Sequence, residues 1–236
     1  MKPLIAITGA SSGIGAATAK LFSEKGYPLL LMARRLERME EPCFPESICK
    51  KVDVRNVEEI RSAVNEAEEK YGPVDCMINN AGVGCLDDPW TQSLEEWERM
   101  VDINIKGVMN GIHVVLPGMV ERKGGTIINI SSLAGRKPFA RHMAYCGTKY
   151  AVHGITETLR LEVAKFNVRA IVIAPASTAT EIISHTSNEK YRNDWKENAG
   201  DLLDPMDVAL SIAYAYEQPQ RVCVREIVIC PTTQPD

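Results

Sequence analysis

The sequence contains no apolar run long enough to cross a bilayer, so a membrane-spanning helix is not expected. It has no excess of positive charge either: 27 Lys and Arg stand against 31 Asp and Glu, a formal net charge of −4. Dedicated nucleic-acid binders carry a basic face, so neither nucleic acid nor membrane is an expected partner. The seven cysteines include no C-x-x-C pair, and their odd number suits no disulfide framework. No metal site is expected, and a reducing compartment fits. Repeats, low-complexity tracts and interdomain linkers are absent. Met1-Lys2-Pro3-Leu4 runs straight into a strand-like segment and leaves no room for a signal peptide, so the expected location is cytoplasmic.

What is present is ordinary for a globular protein: 236 residues, 45% hydrophobic and 25% charged. A chain of this length can bury a full core as one domain, expected over 1–236. Short apolar runs alternate with amphipathic stretches. Strands are predicted at Leu4–Thr8, Pro28–Met32, within Ile48–Val54, and at Val74–Ile78, Thr126–Ile130, Val168–Ala174 and Glu226–Cys230. The runs are continuous rather than alternating, the pattern of a parallel sheet covered on both faces. Val152, Ile155, Leu159 and Val163 share one face of a helix running on from Lys149. Asp204 and Pro205 suit the cap and first position of another. Pro42 and Pro45 keep any helix after the second strand short. The expected fold is α/β, a single doubly wound Rossmann-type domain with a parallel seven-stranded sheet and helices on both faces.

The first strand ends in Thr8-Gly9-Ala10-Ser11-Ser12-Gly13-Ile14-Gly15, and a helix follows. Glycines let a backbone turn tightly and approach a pyrophosphate, and the helix N-terminus offers free N–H groups. The spacing is G-x-x-x-G-x-G rather than G-x-G-x-x-G. With a strand before and a helix after, it reads as a nucleotide-binding turn.

This turn resembles that of the classical short-chain dehydrogenase/reductase family, and further matches follow in order. They are Asn79-Asn80-Ala81-Gly82, Asn104, Asn129-Ile130-Ser131-Ser132, Tyr145-Cys146-Gly147-Thr148-Lys149 and Pro175. The resemblance covers essentially the whole chain. It implies a proton-transferring Tyr145 activated by Lys149, a carbonyl partner at Ser132 with Ser131 as runner-up, and a water-holding Asn104. Asn104 could instead brace a helix. Chemistry agrees with these roles: adding hydride to a ketone develops an alkoxide that needs a proton donor. Positions 145 and 149 are one helical turn apart, and an ammonium there would lower the tyrosine pKa. Ser132 can donate to the oxygen where charge builds. Cofactor contacts are expected from Gly9, Ser11, Ser12, Gly13, Ile14 and Gly15, from Asp53 and Val54 around adenine, and from Ala81 and Gly82. Asn80 is expected to brace the central strands beside them. Tyr145, Lys149, Pro175, Thr178 and Thr180 complete the cofactor set at the nicotinamide end.

The second strand ends in Ala33-Arg34-Arg35, with no acidic residue to take a ribose 2′-hydroxyl. Arg34 would meet a 2′-phosphate, so the predicted cofactor is NADP(H); at least one of Arg34 and Arg35 can be solvent-exposed. Two segments would shape the substrate site. Leu133–Ala144 carries Arg136, Lys137, Arg141 and His142, so Arg141 or His142 could contact an anionic substrate group or simply be solvated. Alanine at 176 replaces the family glycine after Pro175, which puts the local backbone course in doubt. The polar stretch of about 181–203 reads as a mobile lid whose Tyr191 and Trp195 either anchor it or touch substrate. Cys146 is read as a small buried helix residue.

Three stretches resemble the NADP-dependent 3-hydroxy acid dehydrogenases that act on serine and allo-threonine. They are Ala33–Arg38, Leu116–Arg122, and the run from Asp204–Val208 to Pro231–Gln234. This implies interconversion of a small hydroxy compound, such as serine, allo-threonine or 3-hydroxypropionate, and its carbonyl. Alternatives are a sulfoacetaldehyde reductase, a reductase of larger apolar carbonyls, which the polar lid disfavours, and a non-catalytic NADP-binding sensor. The family implies a homotetramer or homodimer.

Overall fold

A computed structural model of the chain describes residues 2–234; Met1, Pro235 and Asp236, which belong to the expected 1–236 domain, lie outside the described residues. Seven strands form one parallel sheet: β1 (Leu4–Thr8), β2 (Leu29–Ala33), β3 (Ser47–Lys51), β4 (Val74–Asn79), β5 (Gly125–Ile130), β6 (Val168–Pro175) and β7 (Glu226–Ile229). Their spatial order is β3-β2-β1-β4-β5-β6-β7, all pairs parallel. Each predicted strand is present, with ends shifted by a few residues at most.

The continuous apolar runs follow from burial on both faces. In β1, Leu4 and Ala6 enter one core while Ile5 and Ile7 enter the other, as alternate side chains of a strand must. The first core packs under α3 (Val57–Tyr71), α4 (Leu94–Val101), α5 (Gly107–Glu121) and α6 (Met143–Val163). The second packs under α1 (Gly13–Glu24) and α8 (Pro205–Glu217). The short helix expected after β2 is α2 (Glu37–Glu40), and α7 (Glu189–Asn198) lies within 181–203. Asp204 caps α8 through a capping box, and Pro205 opens it. Among the described residues no helix is long and apolar enough to cross a membrane.

The chain runs outward from β1 through β2 to β3, then returns to place β4 on the other side of β1. Such a reversal leaves a crevice at the carboxyl ends of the strands, where ligands bind in doubly wound sheets. That is where Gly9, after β1, meets Asn80, after β4.

Candidate active site

A cleft crosses the carboxyl edge of the sheet, and most of the expected site residues line it. Its floor is the glycine turn. Gly9 and Gly13 have φ of +67° and +52°, a region that disfavours any side chain. A Cβ on Gly15 would lie 2.3 Å from the Gly9 carbonyl oxygen, so α1 can approach the turn only without one. Asn80 Nδ2 donates to the carbonyls of Thr8 (3.0 Å) and Gly9 (3.2 Å), the bracing role expected of it. Ser12 gives α1 no side-chain cap, so the helix begins with its leading N–H groups uncapped. Ser11, Ser12, Ile14, Val54, Ala81, Gly82, Pro175, Thr178 and Thr180 complete the walls.

Ala176 resolves without strain. Its φ is not positive, and its N–H donates to Ile229 (2.8 Å), extending the β6–β7 pairing by one residue. Asp53 reaches the cleft, but its carboxylate is already gripped by Arg55, which holds it below the usual carboxylate range. Any adenine contact would share Asp53 with that guanidinium.

At the far end stand Ser132, Tyr145 and Lys149. Ser131 and Ser132 separate cleanly. Ser131 Oγ donates to the Lys149 carbonyl (3.1 Å) and is buried, whereas Ser132 lines the cleft with Tyr145 and its Oγ accepts from the Ala134 N–H (3.1 Å). Burial pushes the Tyr145 phenol up to about 12, against the pull of Ser132. Burial pushes the Lys149 ammonium down to about 8. Lys149 Nζ donates to the Ile130 carbonyl (3.0 Å) and sits 5.7 Å from the Tyr145 ring centre. The pair shares a helix face as the spacing requires, yet burial outweighs the expected lowering of the tyrosine by the ammonium.

Asn104 does not line the cleft. It lies in one turn of π-helix, Asp102–Lys106, between α4 and α5. Its Nδ2 donates to Val83 O (2.9 Å) and Thr148 Oγ1 (3.1 Å), and its Oδ1 accepts from Val83 N (2.9 Å). It ties the β4–α4 loop to α6 directly behind Lys149. A Cβ on Gly82 would be 3.4 Å from Asn104 Oδ1 and 3.7 Å from Lys149 Nζ, so both atoms flank the same glycine. π-Turns concentrate at functional sites. Nothing in the periodicity of the sequence signals this one.

A family model described as short chain dehydrogenase matches residues 3–191. The chain belongs to that family. It is also 40% identical over 237 residues to an uncharacterised oxidoreductase of Staphylococcus saprophyticus, covering 98% of this chain and 96% of the relative. An uncharacterised oxidoreductase of Listeria innocua is 41% identical over 244 residues, covering 98% and 97%. Among solved structures, a closed form of serine dehydrogenase complexed with NADP+ superposes with a TM-score of 0.93 at 30% identity, covering 99% of this chain and 96% of that one. Serine dehydrogenase from Escherichia coli gives 0.86 at 28% identity, covering 99% and 100%.

In this short-chain dehydrogenase the basic loop and the polar segment differ from expectation. Arg141 does not line the cleft: its Nε donates to Asp88 (3.0 Å), and its guanidinium lies 5.3 Å from the centre of the Tyr191 ring. Arg136 pairs with Glu226, outside the cleft. His142 does line it, with ring centres 5.6 Å from Phe139 and 6.2 Å from Tyr145, and burial lowers its pKa toward the neutral form. Polar composition hid the apolar part of the inner face of 181–203: Ile182, Ile183 and Trp195 line the cleft with Leu86 and Phe139, beside Glu181 and His185 of the same segment. The two aromatics divide the expected roles, Tyr191 anchoring on Arg141 and Trp195 facing the cleft.

The arginines rearrange too. Arg34 lines the cleft from an exposed position. Arg35 reaches back to Ser12 Oγ (2.8 Å) and forward to Glu181 (2.8 Å), where Arg38 joins it (2.7 Å). Arg38 and Glu181 were not expected at the site. Their convergence spans 143 residues of sequence and leaves no local signal.

Proposed function

We propose that the protein interconverts an alcohol and its carbonyl with NADP(H), Tyr145 moving the proton. The observation that carries this reading is the layout of one cleft. A glycine turn and clustered guanidiniums line one part, and Tyr145, Ser132 and Lys149 line another. The residues fit such a cofactor. Gly9, Gly13 and Gly15 let the turn pack against Asn80, Ala81, Thr180 and its own backbone, where a Cβ would collide, and this tight turn lines the cleft where α1 begins without a side-chain cap. Arg34, Arg35 and Arg38 supply permanent charge suited to a 2′-phosphate, with no acidic residue ending β2.

When bound, NADP(H) supplies or accepts the hydride. Ser132 donates to the substrate oxygen and orients it against Tyr145. Tyr145, protonated at neutral pH, gives its proton to the oxygen as the carbonyl is reduced and takes it back in the reverse direction. Lys149 holds positive charge beside the phenol, and Asn104 fixes the loop and helix that position Lys149. Exposed apolar residues Met109 on α5, Tyr150 and Leu161 on α6, and Leu210 and Tyr214 on α8 support a homodimer or homotetramer. A cytoplasmic location agrees with its seven free cysteines.

For the substrate, likeness to serine dehydrogenases supports small 3-hydroxy acids such as serine, allo-threonine and 3-hydroxypropionate. A different observation favours an uncharged, apolar substituent. The His142 ring lies between those of Tyr145 and Phe139, burial disfavours its charged form, and Ile182 flanks Gly84 with Tyr145, while Arg141 is taken by Asp88. A carboxylate there would be desolvated without a dedicated partner, which is costly. The geometry supports the apolar carbonyl better.

The test is NADPH absorbance with NADP⁺ and a panel of L-serine, L-allo-threonine, 3-hydroxypropionate and isethionate beside farnesol and a hydroxysteroid. Activity confined to the apolar alcohols is the expected result. Activity confined to the acids would restore the 3-hydroxy acid reading. NADP⁺ binding with no turnover on any of them would favour a sensor.

A further inference from the structure

Arg35 and Arg38 hold an anion that belongs to the chain itself. Each oxygen of the Glu181 carboxylate accepts from a different guanidinium: Oε2 from Arg35 Nη1 at 2.8 Å, Oε1 from Arg38 Nη1 at 2.7 Å. Arg35 is held in place from behind, its Nη2 donating to Ser12 Oγ at 2.8 Å and approaching Ser11 Oγ at 3.4 Å. Two fixed cations therefore converge on one point at the rim of the cleft, and the hydroxyls of the glycine turn fix one of them there. Glu181 reaches that point because Thr180 packs on the glycine turn: a Cβ on Gly13 would lie 2.9 Å from its Cγ2.

We propose that Glu181 is an internal anion that competes with the cofactor's 2′-phosphate for these guanidiniums, and that Arg38 is a second specificity-determining arginine there. The inference rests on the NADP(H) reading above. A carboxylate offers two oxygens and one charge. A phosphate monoester offers three oxygens and close to two charges, and so draws the two guanidiniums more strongly than the carboxylate can. The arginine pair holds the Glu181 carboxyl down at about 2, so it is an anion at any working pH. All three side chains are 40–45% exposed, and exposed ion pairs are weak. A bound dianion therefore displaces the carboxylate and frees the first residue of 181–203. Competition of this kind lowers apparent affinity by the fraction of molecules in which the guanidiniums are free.

The test uses the full chain and two nucleotides without nicotinamide, so that binding is read by calorimetry and no turnover is needed. 2′,5′-ADP carries the phosphate and 5′-AMP lacks it. Wild type should bind 2′,5′-ADP more tightly. Glu181→Gln keeps the shape and removes the charge, and should tighten 2′,5′-ADP about three- to tenfold while leaving 5′-AMP unchanged. Arg38→Ala should weaken 2′,5′-ADP and, again, leave 5′-AMP alone. If wild type prefers 2′,5′-ADP but Glu181→Gln leaves that affinity unchanged or weakens it, the competing anion is wrong and the NADP(H) reading stands. If the Arg38→Ala affinity matches wild type, Arg38 is not a specificity-determining arginine. If wild type binds both nucleotides equally, the competition and the NADP(H) reading fall together.

Discussion

The two ends of the cleft recognise by opposite means. The glycine-turn end offers a tightly packed backbone turn that tolerates no added side chain, flanked by permanent cations at the surface. The Tyr145 end offers apolar walls and buried titratable groups whose pKa values burial has moved, the phenol up and the ammonium down. The first end can hold a charged ligand with weak, water-exposed contacts, because it needs only charge and close approach. The second must exclude water, so that proton movement is governed by the protein rather than by solvent. A charged ligand suits the first end and an uncharged one the second.

The sharpest way to break this contrast is to fill the floor. In Gly15→Ala the new Cβ would lie 2.3 Å from the Gly9 carbonyl, so backbone must move. We expect NADP(H) binding to be lost and stability to fall by about 1–3 kcal/mol, read by calorimetry and thermal melting. Unchanged binding would mean that close backbone approach is not needed.

A pH series probes the other end. With the phenol held at about 12, alcohol oxidation, which needs phenolate, should rise with pH. Carbonyl reduction needs the phenol and the Lys149 charge, so it should fall as pH passes about 8. Parallel profiles in the two directions would contradict the assignment.

Smaller effects sharpen the contrast further. Ile182→Ser places a hydroxyl on the wall beside Gly84 and Tyr145 and should raise KM for an apolar substrate about tenfold, with little change in NADP(H) affinity. Arg141→Ala breaks only a part-exposed pair with Asp88 and a contact with Tyr191. We expect a stability loss below about 1 kcal/mol and no change in KM for any acid. A large rise in KM for the acids alone would return Arg141 to the substrate site.

These contrasts also explain what could be read before the fold was known. The glycine turn and the Tyr145–Lys149 pair are local: their chemistry lies within one turn of backbone, so residue spacing carries it. The seven strands were legible because burial on both faces leaves continuous apolar runs. Partners distant in sequence were not. Arg141 and Arg35 sit in similar basic stretches, and only the fold brings Asp88 to one and Ser12 and Glu181 to the other. The 181–203 segment misled because composition averages over a helix and its lead-in, whereas Ile182, Ile183 and Trp195 all line the cleft. Asn104 was recognised by type, but its bracing of Val83 and Thr148 depends on a π-turn that no period announces.

The central claim is that binding and proton transfer reside at separate ends of one cleft. Tyr145→Phe tests it most directly, with NADPH affinity and turnover measured on the same preparation. The account predicts unchanged affinity and turnover reduced by at least about a hundredfold. Turnover close to wild type, or affinity lost in step with it, would contradict the claim.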